Sequence, residues 1–105
     1  MIKIMLVCSA GMSTSLLVNK MLDAAKKQGM ETEIFAVPEV EIKQYIDKAD
    51  VVLLAPQVRF LYNKMLKELE PTGIPLAIID SVSYGLMNGD AVIKQVADLV
   101  AAGSK

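Results

Sequence analysis

Residues 2–22, IKIMLVCSAGMSTSLLVNKML, hold the chain's one cysteine, Cys8, where two unlike patterns meet. Residues 2–7 are β-rich and apolar apart from Lys3, the pattern of a strand. Residues 9–15, SAGMSTS, are small or hydroxyl-bearing, and they mark a loop and a helix start with Ser13 or Thr14 as N-cap. Leu17, Met21 and Ala25, with Val18 and Leu22, then recur at helical spacing until Gly29 ends the run. The order is strand, loop, helix.

The rest of the chain repeats that order. ETEIFAV (31–37) is a short strand, and a second helix is expected from Pro38, with Ile42, Tyr45 and Ile46 on one face. DVVLLA (50–55) is a continuous aliphatic run, which suits a strand covered on both faces of a parallel sheet, and Pro56 stops it. Leu61, Met65 and Leu69 give a third helix, PTGIP (71–75) breaks it, and LAIID (76–80) is a fourth buried strand. After SVSYGLMNG (81–89), Val92, Val96 and Leu99 mark the last helix. Four strands alternating with helices predict an α/β fold: a four-stranded parallel sheet, order 2-1-3-4, helices on both faces, in a flavodoxin-like three-layer arrangement. Residues 1–105 are expected to form a single domain. In such sheets ligands bind beyond the carboxyl ends of the strands, where the winding reverses between strands 1 and 3. Cys8, PQVR (56–59) and Asp80 leave their strands at that edge, so their three loops are expected to line one crevice.

Composition narrows what such a crevice can do. Hydrophobic residues make up 53% but aromatics only 5%, so the core must be aliphatic, with alanine and seven methionines. Eleven basic residues stand against twelve acidic ones without a charge run, so neither a nucleic-acid patch nor an electrostatic membrane anchor is expected. No apolar run approaches the roughly 20 residues needed to span a bilayer, and residues 1–7 are too short for a signal peptide. A cytoplasmic location without direct membrane insertion is therefore expected, and a lone cysteine, which cannot form an internal disulfide, fits that reducing compartment. There is no histidine, which removes the commonest general base, metal ligand and partner of a nucleophilic cysteine. A self-contained Cys-His or Ser-His-Asp enzyme is excluded, and no zinc site is expected.

Two readings of Cys8 follow from the residues alone. A cysteine outside a disulfide is among the most buried residue types, and packing would account for it. The alternative rests on position: a loop that opens a helix presents backbone N–H groups without intrahelical partners, and the helix dipole adds partial positive charge. Gly11 permits unusual backbone angles, Ala10 keeps the approach open, and Ser9, Ser13, Thr14 and Ser15 offer hydroxyls. Negative charge on a sulfur there is stabilised, as is that of a phosphoryl group joined to it. The arrangement resembles the Cys-x5-Arg loop of tyrosine phosphatases, but the arginine position is Thr14 and the chain's one arginine is Arg59. Without the guanidinium clamp, such a site suits a carrier of phosphocysteine better than a phosphatase. A low-molecular-weight phosphatase-like enzyme and a non-covalent anion- or phosphate-binding module are the competing readings.

VCSAGMSTSLLVNKM, DVVLLAPQVRF and IIDSVSYG together resemble the IIB component of the phosphoenolpyruvate-dependent sugar phosphotransferase system, lactose/cellobiose (chitobiose) type. The resemblance covers essentially the whole chain. It implies that Cys8 accepts a phosphoryl group from a histidine of the IIA component and passes it to a sugar held by the membrane-embedded IIC component. It assigns the phosphate loop to Ser9, Ala10, Gly11, Met12, Ser13, Thr14 and Ser15, and it implies no cofactor and no metal. The missing histidine then sits on another protein.

Four further residues have both a functional and an ordinary reading. Gln57 could donate a hydrogen bond to the phosphate or be merely solvated, and Tyr84 with Gly85 is read as a turn before it is read as the far wall of the pocket. Arg59 could guide the phosphodonor or be surface charge. Asp80 is expected to cap the following helix, since a carboxylate aimed at the sulfur would oppose phosphorylation. Met12, in a loop, is a soft contact for a partner.

Overall fold

The computed structural model describes residues 1–8 and 15–103. Strand β1 (Ile2–Cys8) leads to helix α1 (Ser15–Lys27) and strand β2 (Thr32–Pro38). A broken helical segment follows: a 3-10 turn at Glu39–Glu41, the short helix α2 (Ile42–Tyr45) and a second 3-10 turn at Ile46–Lys48. Strand β3 (Val51–Leu54) passes through 3-10 residues Pro56–Leu61 into helix α3 (Tyr62–Leu69), and strand β4 (Leu76–Ile78) is followed by α4 (Ser81–Gly85) and α5 (Gly89–Gly103). All strands are parallel, in the order β2-β1-β3-β4.

Burial explains why β1 and β3 are central. Ile4, Met5, Leu6 and Val7, and all of Val51 to Leu54, are wholly inaccessible, as expected for strands with helices on both faces. On one face α1 and α5 pack together, with Leu17 and Met21 of α1 and Val92, Ile93 and Val96 of α5 fully buried. On the other, α2 and α3 lie side by side, with Ile42, Leu61 and Met65 along their seam. The edge strands are less covered. LAIID is not a uniformly buried strand: Leu76 and Ile79 are buried, while Ala77 and Ile78 are half-buried, because β4 has a neighbour on one side only. Its outer helix compensates, since Gln95 of α5 donates its Nε2–H to the Ile78 carbonyl at 3.0 Å.

Two sequence expectations change form. The helix expected from Pro38 is three short pieces, and Pro38 itself still belongs to β2, paired with Cys8. Ile42, Tyr45 and Ile46 nevertheless still meet the core. Tyr84-Gly85 is not a turn but the end of a helix, because Asp80 caps it: its Oδ2 accepts from Ser83 N at 3.0 Å and from Ser83 Oγ at 3.2 Å.

Gly29 closes α1 in the left-handed region, at φ 73°. Its N–H donates to Lys26 O at 3.1 Å and that of Met30 to Ala25 O at 2.8 Å, the paired bonds of a Schellman cap. A side chain at residue 29 would meet nothing within 4 Å, so replacement costs backbone strain alone. Gly29→Ala is expected to lower the unfolding free energy by roughly 1 kcal/mol in urea titration.

Candidate functional site

The sheet register brings the site together. Val7 pairs with Leu54, and Leu54 with Ile78, so three neighbouring strands end at one level. The pairing continues one step further, with Ala55 N bonded to Val7 O and Ile79 N to Leu54 O, both at 2.9 Å. Cys8, Pro56 and Asp80 therefore leave the sheet side by side.

Cys8 is 5% exposed, so its sulfur is recessed in the sheet end rather than presented on the surface. Sγ donates to the carbonyl oxygen of Val37 in β2 at 3.8 Å, a weak contact typical of a thiol. Above it the strand 3 and strand 4 loops meet. Gln57, exposed at its position after Pro56, makes a side-chain hydrogen bond with the Tyr84 hydroxyl, and Tyr84 lies within electrostatic reach of Cys8. Tyr84 is 8% exposed, its ring on the buried side of α4. Burial is the main reason its phenol titrates above the ordinary value; negative charge at Cys8 pushes it further up, and the Gln57 hydrogen bond pulls the other way.

Of the residues singled out in the sequence, the structure thus brings Cys8, Gln57 and Tyr84 together. Ser9, Ala10, Gly11, Met12, Ser13 and Thr14, including both N-cap candidates, lie outside the described residues; Ser15 is the first residue of α1. Asp80 is engaged by Ser83 as a cap, and Arg59 is exposed on the 3-10 segment after β3. Sequence reasoning missed the corner between α4 and α5. Met87 there has a left-handed φ of 54° although it is not glycine, and Asn88 Oδ1 caps α5 by accepting from Ala91 N at 3.1 Å. The Asn-Gly pair at 88–89 was the available signal, but it reads as a turn and gives no hint of what touches it.

A parallel-sheet protein with a recessed thiol at the carboxyl end of a central strand, flanked by an amide and a phenol, defines a class of site suited to handling an anion at sulfur. The chain belongs to the lactose/cellobiose-specific IIB subunit family of the phosphotransferase system, whose model matches residues 3–95. As a IIB component it is a phosphotransferase of that sugar-transport system. It is 43% identical over 98 residues to the oligo-beta-mannoside-specific EIIB component of Bacillus subtilis, covering 93% of this chain and 95% of that one. It is 42% identical over 102 residues to the galactose-specific EIIB component of Lactococcus lactis subsp. cremoris, covering 92% and 94%. Among solved structures, the cellobiose-specific phosphotransferase IIB component of Borrelia burgdorferi superposes with a TM-score of 0.79 at 39% identity, over 99% of this chain and 95% of that one. No helix of the described residues is long and apolar enough to cross a membrane.

The raised titration of Tyr84 has a definite sign for stability. The neutral phenol is favoured in the folded state, so its contribution is complete below the unfolded value of about 10 and is lost as pH rises through the folded value. Urea titrations from pH 8 to 11 should show the wild type losing stability in the alkaline range more steeply than Tyr84→Phe.

Proposed function

We propose that Cys8 is the phosphoryl carrier of this IIB component: it takes a phosphoryl group from a phosphohistidine of the IIA partner and delivers it to a sugar bound by the IIC partner. The observation that carries the reading is the meeting of Gln57 and Tyr84 at the end of β1, beside the sulfur.

In the first step the Cys8 thiolate attacks phosphorus, the S–P bond forms as the N–P bond breaks, and the imidazole leaves with the electron pair. In the second, a sugar hydroxyl oxygen attacks, the S–P bond breaks, the hydroxyl proton passes to a base on the partner side, and the thiolate returns. Both steps are in-line displacements dominated by positioning and by stabilisation of charge on the phosphoryl oxygens. Tyr84, held neutral by burial, and the Gln57 amide are hydrogen-bond donors placed to serve those oxygens. Backbone and hydroxyl donors of residues 9–15 complete the cradle in this reading, as their composition suggests. A recessed sulfur keeps bulk water from the S–P bond, and no arginine stands in the sequence position that would promote its hydrolysis. Both features favour a carrier over a phosphatase.

A carrier must meet two partners briefly, and the rim around Cys8 fits that need. Val40, Phe60, Val82 and Leu86 are large apolar side chains, each at least 65% exposed, and all stand on segments that leave the carboxyl ends of β2, β3 and β4. Such a patch suits a small, transient interface. In this reading specificity for the sugar belongs mainly to the IIC partner.

Incubation with phosphoenolpyruvate, the upstream carriers and a cognate IIA should add one phosphoryl group, detected by mass spectrometry, and Cys8→Ser should remove it. A phosphoryl group elsewhere in the chain, or steady release of phosphate from an aryl phosphate by the protein alone, would overturn the assignment. Tyr84→Phe should slow transfer about tenfold, the loss of one hydrogen bond to a charged group. Phe60→Glu should weaken exchange with IIA while Leu66→Glu, exposed on α3 away from this rim, leaves it unchanged; equal effects would disconnect the rim from docking.

A further inference from the structure

Gly89 is buried at the first turn of α5, and a Cβ added there would collide with the carbonyl carbon and the carbonyl oxygen of Lys20 and lie 2.7 Å from Met21 N. All three atoms are backbone of α1, so no side-chain adjustment can make room. Two helices meet here main chain to main chain.

The segment from Gly89 back to Tyr84 is tightly bonded. Met87 N donates to Tyr84 O at 3.1 Å and Asn88 N to Ser83 O at 2.9 Å, a second Schellman cap, closed here by a methionine in the left-handed region. Asn88 then caps α5 in turn. A displacement of Gly89 is accordingly passed to Tyr84, whose side chain reaches Gln57 and the vicinity of Cys8. On the other side, α1 begins at Ser15, joined through residues 9–14 to Cys8, and it is locked to the core by Leu17 and Met21. Gly89 is thus where helix α1, which follows Cys8 in the chain, touches the corner that carries Tyr84.

We infer that Gly89 is a positioning residue for phosphoryl transfer: its missing side chain sets the spacing between α1 and the α4–α5 corner, and through it the placement of Tyr84 over Cys8. The inference rests on the carrier role proposed for Cys8, but the geometry can be read without it.

The test compares wild type, Gly89→Ala, Asn88→Ala and Lys27→Ala. Lys27 forms an exposed ion pair with Asp90 at 3.4 Å across the same helix pair, so its loss perturbs the junction's surface but not the spacing. Each variant is assayed for urea stability, for the ultraviolet titration of its tyrosines, and for the rate of phosphorylation of Cys8 by phospho-IIA. In Gly89→Ala the titration of Tyr84 should move toward the ordinary tyrosine value and the transfer rate should fall ten- to a hundredfold, the scale of a misplacement of about 1 Å. Asn88→Ala adds no atom and loosens the same corner, so it should show the same changes at about threefold; it keeps the test decisive where Gly89→Ala does not fold. Lys27→Ala should match the wild type in both. Folded corner variants with wild-type titration and wild-type transfer would overturn the inference. A wild-type protein that takes no phosphoryl group on Cys8, with the tyrosine titration still shifting in the variants, would remove the carrier role while leaving the spacing role of Gly89 standing.

Discussion

Everything at the functional end depends on the level ending of three parallel strands. Because Val7, Leu54 and Ile78 share one rung, the residues after them emerge into the same small space. A slip of one residue in any strand would exchange which side chains face each helix layer, and since the aliphatic runs of β1 and β3 are wholly buried on both faces, it is the close fit of their individual side chains that opposes it. The hydrophobic core therefore does more than hold the protein together. It sets the registration that brings Cys8, Gln57 and Tyr84 to one end of the sheet.

Around that sulfur the balance is electrostatic and spare. The chain has no histidine, and its one arginine is exposed on the 3-10 segment after β3, so the carrier role proposed for Cys8 leans on the dipoles of the Gln57 amide and the Tyr84 phenol. Dipoles stabilise an anion without binding it too tightly, which suits the transfer that the proposed role requires. Asp80 illustrates how a nearby negative charge is kept out of the account, its carboxylate turned to the backbone and hydroxyl of Ser83.

The fold was legible because each element announces itself by pattern. The aliphatic run at 50–55 reads as a covered strand, and the apolar residues at helical spacing from Leu17 to Ala25 mark α1. Asp80 could be read as a cap because its side chain acts on residues three positions away. Legibility fails where the cause is distant. Tyr84-Gly85 has the local chemistry of a turn, and only the cap behind it and the core beneath it make it helical. The pieces at 39–48 carry apolar residues at helical spacing, and that spacing does not reveal that the backbone breaks between them. Tyr84 and Gln57 lie 27 positions apart, and no local rule predicts their hydrogen bond. Gly89 is the extreme case: its neighbour is the main chain of α1, which carries no residue-specific signature at all.

The amide of Gln95, set against the Ile78 carbonyl, has a consequence beyond α5. A parallel sheet this small has two open borders, and an uncovered border invites a foreign strand to add itself. Strand β4 spans only three residues and has one of its outer acceptors already occupied from within. In the carrier role proposed for Cys8 the protein's encounters are brief, and it is thereby spared a lasting one: a visitor meets little free main chain to zip onto at this flank.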